Sequence, residues 1–515
     1  MAEDRAHAGG TGPEPAAPRR RGRLPSAEDL RRLRRRWTRV LVLSALTGVL
    51  VGLAVAAFEA VAGELLLHWT LGLPVGGQVV APAVGLVLAW LVLRYLGRGT
   101  TPATSDDVLV AYHRDAGEMP LDQVPGKMLG ATVTLGAGGA MGFEGPSIYL
   151  GAAIGSLVRR WFPRAFTADD QRTLVVAGAA AGVAAIFKAP ATGAVFALEV
   201  PYREDTAAAA AVPAVVAAAA SYLVFVAWFG LERLIPLGGP APELDLRALG
   251  GAVVMGVLAG LGARLFATVL RRAKTALVGV PAGVRLGSTG AGLALVAAVT
   301  WAVYDGPLSL GPGLGAITWT EGLRRPLGLV VLLLVVRAVA TTLTLAGGGV
   351  GGIFIPLFVE GWLLGTAVEV LVGGDTLLFP VIGAAAFLGA GYRTPIAAVV
   401  FVAEATGRPG FVVPALIATA VAQFVMGDAS VSAYQMDRRV DPITLRDQRP
   451  VVDACVPAPP DLAPDAPGVA ADATVGDARR ALVAFGVPLV VVRDGATVIG
   501  VVTPATVLAL EPPPV

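Results

Sequence analysis

Four stretches of this chain run for the length of a membrane crossing without one charged side chain: Val40–Phe58, Val75–Leu93, Ala207–Leu231 and Ala338–Val359. A helix needs roughly 20 apolar residues to traverse the hydrocarbon of a bilayer. A single run of this kind would fit the buried core of a soluble protein, but so many in succession do not. Charged residues make up only 15% of the 515, too few to cover the surface of a soluble protein of that size, and the mean hydropathy is +0.70. The chain reads as an all-α polytopic membrane protein, and its first partner is the lipid bilayer.

The formal net charge of +2 says little, but its placement says more. Arg19, Arg20, Arg21, Arg23, Arg31, Arg32, Arg34, Arg35 and Arg36 cluster just before the first apolar run. Positive residues beside a span are retained on the cytoplasmic side, which places the N-terminus there. A nucleic-acid-binding tail is the rival reading, and the adjacent span makes topology the better one. A secretory signal is disfavoured because the first apolar run is too long and lacks a cleavage-type site after it. Three zones follow: a polar, basic N-terminal segment (1–36), in which an amphipathic stretch begins at Leu30, a membrane domain (37–437), and a tail (438–515) where charge and proline return. Both termini are expected in the cytoplasm of a multi-pass plasma-membrane protein. One cysteine, Cys455, excludes an intramolecular disulfide, and His7, His68 and His113 are far apart in sequence. With no metal-ligand spacing, no Walker A loop and no nucleophile–base pair, neither a cofactor nor an enzymatic activity is expected.

Within the membrane zone, glycine and proline break the apolar runs at GFEGP (142–146), KAP (188–190), GIFIP (352–356) and RTP (393–395). Irregular backbone at membrane depth is tolerated only where protein buries it or a polar cavity borders it, and matched interruptions in two halves point to a transport site. Such halves are present. Gly178–Glu199 (GAAAGVAAIFKAPATGAVFALE) aligns without gaps on Gly383–Glu404 (GAAAFLGAGYRTPIAAVVFVAE), identical at about nine of 22 positions. The pairs Pro190/Pro395, Phe196/Phe401 and Glu199/Glu404 match, and Lys188/Arg393 match in charge. Upstream of each copy lies G-x-x-x-P after a glycine-rich run: Gly142–Pro146 and Gly352–Pro356. Glycines followed by a proline just inside a helix signal a helix start, here twice in mid-membrane. Whether the two copies are inverted is not legible in the sequence.

A helix N-terminus carries unpaired N–H groups and about half a positive charge. Two such ends aimed at one point form an anion site without a full cation, which permits the turnover that a buried Arg or Lys would hinder. The expected donors are the N–H groups of Ile353 and Phe354 from the second half, and those around Gly142, Phe143 and Gly145 from the first. The competing reading is glycines used only for helix packing, and the paired occurrence favours the anion site. Glu144, an ionisable side chain inside the membrane, is a functional hypothesis by default. Its carboxylate can compete with the permeating anion, and protonation would release it, so it is the expected gate.

These residues resemble the CLC family of chloride channels and chloride/proton antiporters. GFEGP followed by SIYLGAAIGS resembles that family's GxEGP motif, GIFIP its GxFxP motif, and FKAPATGAVFALEV and YRTPIAAVVFVAEAT two flanking helices. The resemblance covers most of residues 40–440. It implies an inverted repeat of tilted and broken helices, a homodimer with a pore in each subunit, Glu144 as the external gating glutamate, and Ile353 and Phe354 as amide donors to the anion. The sequence departs from the family in three places. Where the family has GSGIP, this chain reads PATSDD (102–107), so the serine position falls on Ala103, with Thr104 and Ser105 close by. The pore tyrosine is expected in SVSAYQ (430–435), where spacing puts Ser432 at its position and Tyr434 two residues away. Ser105 and Tyr434 are retained as candidate anion contacts. Lastly, the second glutamate that carries internal protons in many family antiporters is Val200 here. That substitution favours a gated chloride channel, with chloride/proton exchange as the alternative; a non-conducting scaffold or receptor is a remote third reading.

The tail carries an amphipathic helix (Val475–Phe485), a β-branched run (Val487–Val492), a turn at Asp494–Gly495 and a second strand (Val498–Val502). It resembles a single CBS motif, with Thr506 where such motifs place a ribose-binding aspartate, and reads as a packing or dimerisation element.

Overall fold

The computed structural model describes residues 27–163, 168–237, 245–321, 325–374, 376–438, 449–460, 462–463 and 466–510. Arg19, Arg20, Arg21, Arg23 and His7 lie outside the described residues. Among the described residues, eight helices are long and apolar enough to cross a membrane, from Trp37–Leu71 to Pro409–Met426. Leu378–Tyr392 and Pro395–Thr406 are apolar but shorter. The first span ends in a π-helical stretch, Ala60–Leu67, and Val75–Tyr95 returns to the face on which the first span began.

The two sequence copies fold alike and meet antiparallel. In each, a cationic residue in the left-handed region, Lys188 (φ 52°) or Arg393 (φ 57°), ends one helix. A proline at the first turn then starts the next, Pro190–Glu199 or Pro395–Thr406; the residue before a proline is driven out of the helical region, which forces the break there. The matched cations also have matched tasks. Lys188 donates to the Phe229 carbonyl (2.9 Å) and Arg393 to that of Gly427, each at the C-terminal end of a span, where positive charge is favourable.

The matched glutamates cap each other's copy. Glu199 accepts from the N–H groups of Ile396 (3.2 Å) and Ala397 (2.8 Å). Glu404 accepts from those of Ala191 (3.0 Å) and Thr192 (2.7 Å), and from the Thr192 hydroxyl. The C-terminal acid of each short helix thus satisfies the orphan donors at the N-terminus of the other.

Glycines set the helix separations within each copy. A Cβ on Gly178 would strike the Gly151 carbonyl, and one on Gly182 the Ser147 carbonyl. In the second copy Gly361 meets the Gly383 carbonyl and Gly365 that of Phe379. Gly151 and Gly361 each lie seven residues beyond Glu144 and Phe354, which begin their helices, so the two half-helices are equivalent residue for residue.

The tail forms a three-stranded sheet in the order β1 (Gly468–Ala470), β2 (Val490–Asp494), β3 (Thr497–Val502), with β1 parallel and β3 antiparallel to β2. The expected helix and turn are present; the first expected strand starts three residues later, at Val490. β1 was not expected, because three residues carry too little periodicity to read. Thr474 and Asp477 form a capping box. The Thr474 backbone and hydroxyl, with Arg480, hold the Asp477 carboxyl down at about 2. Val451 and Ala454 pack with Val475, Val492 and Val502 in one small core.

Gly178→Ala should destabilise the membrane domain by about 1–3 kcal/mol, because the added methyl must push two helix backbones apart. Gly287→Ala, with open space around its Cα, should be neutral. Thermal unfolding followed by size-exclusion chromatography in detergent measures both.

Candidate anion pathway

The two glycine–proline starts lie against each other. The Gly142 N–H donates to the Gly352 carbonyl (2.8 Å) and the Gly352 N–H to the Gly142 carbonyl (2.7 Å), a two-residue antiparallel bridge. A Cβ on either glycine would run into the Glu144 carboxylate, so the glycines make the room that this side chain occupies. Glu144 is completely buried. Its Oε1 accepts from the N–H of Phe354 at 2.6 Å and of Ile355 at 3.4 Å, while Oε2 has no partner. The carboxylate of the first half therefore sits on the helix N-terminus of the second, and Phe354 is its own counterpart in the repeat.

Among the expected donors, Phe354 reaches the carboxylate, and it is joined there by Ile355 rather than Ile353. The Gly142 N–H is engaged by Gly352. Phe143 packs its ring on Phe58, centroids 5.9 Å apart, and Gly145 is pressed against Thr104 and Gly351. Around Phe354 stand Phe187, Phe196, Phe401 and Tyr392, with ring centroids 4.8–6.3 Å from its own. This wall is apolar apart from the single phenol.

Cavities approach the Glu144 region from opposite faces. One, about 120 Å³, is bordered by Ala103, Ser105, Asp106, Lys274, Gly352, Ile353, Tyr392 and Ser432. It lies on the face where the first span begins, because the 96–104 loop follows the returning helix. The other, about 270 Å³, is bordered by Glu59, Glu64, His68, Phe143, Phe187 and Ile355 at the far end of the first span. Aligned residues of the repeat, Phe187 and Tyr392, thus face opposite cavities, as an inversion between the copies requires.

Ser105 borders the first cavity, as does Tyr392. Tyr434 does not border it: the residue is 43% exposed and its ring stands 6.0 Å from the Arg114 guanidinium. Ser432 is at the cavity, as the spacing indicated, and donates to Asp106 (2.7 Å). Tyr392, Asp106 and Lys274 were missed from sequence. The available signal for Tyr392 was its alignment with Phe187, an aromatic kept in both copies with a hydroxyl in one. Buried Lys127 pins the loop, donating to the Ala103 carbonyl (2.7 Å) and pairing with Asp107. Val200 borders a small apolar cavity of about 20 Å³ beside Ser105 and Tyr112.

The voltage gated chloride channel family matches residues 84–427, about two-thirds of the chain. The chain belongs to that family. Among curated relatives, the H(+)/Cl(-) exchange transporter ClcA of Cronobacter sakazakii is 28% identical over 422 residues, covering 75% of this chain and 87% of the relative. ClcA of Yersinia pseudotuberculosis is 26% identical over 457 residues, covering 82% and 92%. Among solved structures, a slow cyanobacterial Cl-/H+ antiporter superposes with a TM-score of 0.66 at 22% identity, covering 75% of this chain and 94% of that one. A CLC-type fluoride/proton antiporter gives 0.62 at 24%, covering 80% and 100%. CLC-type anion transport through a polytopic helical pore is accordingly this chain's function.

Tyr392→Phe should weaken chloride binding about tenfold, because a hydrogen bond to a charged group is worth about 1.5–3 kcal/mol. Tyr434→Phe should leave binding unchanged. Isothermal titration with chloride in detergent distinguishes the two.

Proposed function

We propose that the chain exchanges chloride for protons, with Glu144 as the group on which the two meet. The observation that carries this reading is the seat of the Glu144 carboxylate on the Phe354 and Ile355 N–H groups. Those donors can serve the carboxylate or a chloride ion, not both. An arriving anion displaces the side chain, and a displaced carboxylate inside the membrane is costly until it is protonated. Anion occupancy and proton uptake are thereby linked through one side chain. The channel reading rested on Val200. That valine removes one route for protons and does not alter the competition at Phe354, and the curated relatives above are named exchange transporters.

In the same reading, Tyr392 and Ser105 contact the anion from the first-span side, and the Arg cluster before the first span sets that side as cytoplasmic. The protein works as a homodimer with one pathway per subunit, and its small tail sheet is a CBS-like packing element in the cytoplasm.

Proteoliposomes carrying an outward chloride gradient should take up protons against no proton gradient, at a fixed chloride-to-proton ratio. Glu144→Gln should abolish the proton movement and leave chloride flux indifferent to pH. Chloride release by the unmodified protein with no proton movement would return the channel reading.

A further inference from the structure

Exchange requires a group that passes the proton between Glu144 and the solution on the first-span side, and the usual candidates are closed. Val200 has no titratable atom. Both oxygens of Glu199 are bonded to the Ile396 and Ala397 N–H groups, and both of Glu404 to the 191–192 backbone. Glu59 and Glu64 border the opposite cavity.

We propose that Asp106 is the proton-transfer group of the first-span side, an assignment that rests on the exchange reading above. Asp106 is the one carboxylate among the described residues bordering the cavity that reaches Gly351, Gly352 and Ile353, the backbone around Glu144. Its Oδ1 accepts from the Ser432 hydroxyl at 2.7 Å. Its neighbour Asp107 is turned to a different task, paired with buried Lys127. Tyr392 borders the same cavity as Asp106, and its ring packs on Phe354, whose N–H seats Glu144.

A cavity of about 120 Å³ bordered by Ser105, Asp106, Lys274 and Ser432 has room for several waters beside polar partners, and in this proposal waters carry the proton past the phenol. In the step, the Glu144 carboxylic acid, displaced from its seat by the anion, gives up its proton to cavity water, a water gives one to the Asp106 carboxylate, and Asp106 releases it to solution. No electron pair leaves either residue, and no other reactant is needed.

The charged groups facing Asp106 fit this use. Lys274, at the end of Leu246–Ala276, borders the same cavity. Its ammonium offsets the Asp106 carboxylate and leaves the cavity positive once Asp106 is protonated, so the anion is not expelled while the proton passes. Asp107 and Lys127 neutralise each other behind the loop. Two places where the sequence departs from its family, PATSDD and SVSAYQ, are joined by the Ser432–Asp106 hydrogen bond. An acid and a hydroxyl thus stand together in the cavity wall.

The test is simultaneous chloride and proton flux from proteoliposomes of the full chain. With the unmodified protein coupling the two, Asp106→Asn should raise the chloride-to-proton ratio at least tenfold with chloride still moving, and Asp106→Glu should restore coupling to within about threefold. An unchanged ratio in a coupled protein bearing Asp106→Asn overturns the assignment and leaves exchange standing. An unmodified protein that moves no protons overturns both. Should Asp106→Asn not assemble, Ser432→Ala carries the test. A shift of about half a pH unit or more in the dependence of proton flux on first-span-side pH supports the assignment, and an unmoved profile overturns it.

Discussion

A carboxylate resting on a helix N-terminus in the middle of a membrane is the interaction on which this structure depends. The Phe354 N–H cannot be left bare in a water-excluded site, and Glu144 satisfies it from the other half of the molecule. Everything nearby serves that contact. Gly142 and Gly352 lack the Cβ that would block it, and their reciprocal hydrogen bonds hold the two half-helices at one fixed separation. The rings of Phe187, Phe196, Phe401 and Tyr392 pack around Phe354 and hold that helix start in place. A helix end attracts an anion without binding it as a fixed cation would, so the same donors can hold a carboxylate at one moment and a halide at the next.

The same economy of partial charge recurs away from the pathway. The helix starts at Pro190 and Pro395 are each capped by the glutamate that ends the other, and the carbonyls at two span ends receive Lys188 and Arg393. Broken helices expose orphan backbone groups, and this fold satisfies many of them across the repeat. Buried charges in the membrane domain, Glu144 and Glu199 among them, are paired with backbone groups. Arg337 follows the rule: fully buried, it donates to the carbonyls of Ser309 and Gly311.

In the proposed exchange, Val200 removes one titratable position, and proton transfer need not depend on one position. The cavity that reaches the backbone around Glu144 is bordered by 102–106, Lys274, Leu345, 351–353, Tyr392 and 431–432, so the polar groups it gathers come from separate parts of the sequence.

Several features were fixed by the sequence alone. Charge-free runs long enough to cross hydrocarbon dictated a helical membrane protein, because no other use of such runs satisfies their backbone. The internal repeat, the four proline-bearing interruptions, Glu144 and the amide of Phe354 were legible because each is a local signal: a spacing, a break, an ionisable group where none is tolerated without purpose. Tertiary structure decided what those signals meet. That the copies are antiparallel, that Ile355 rather than Ile353 joins Phe354, that Tyr434 turns outward to Arg114, and that Asp106 stands beside Ser432 all depend on contacts between residues up to 326 positions apart. Spacing along a chain carries the periodicity of one helix, and it carries no record of which helix end will face another.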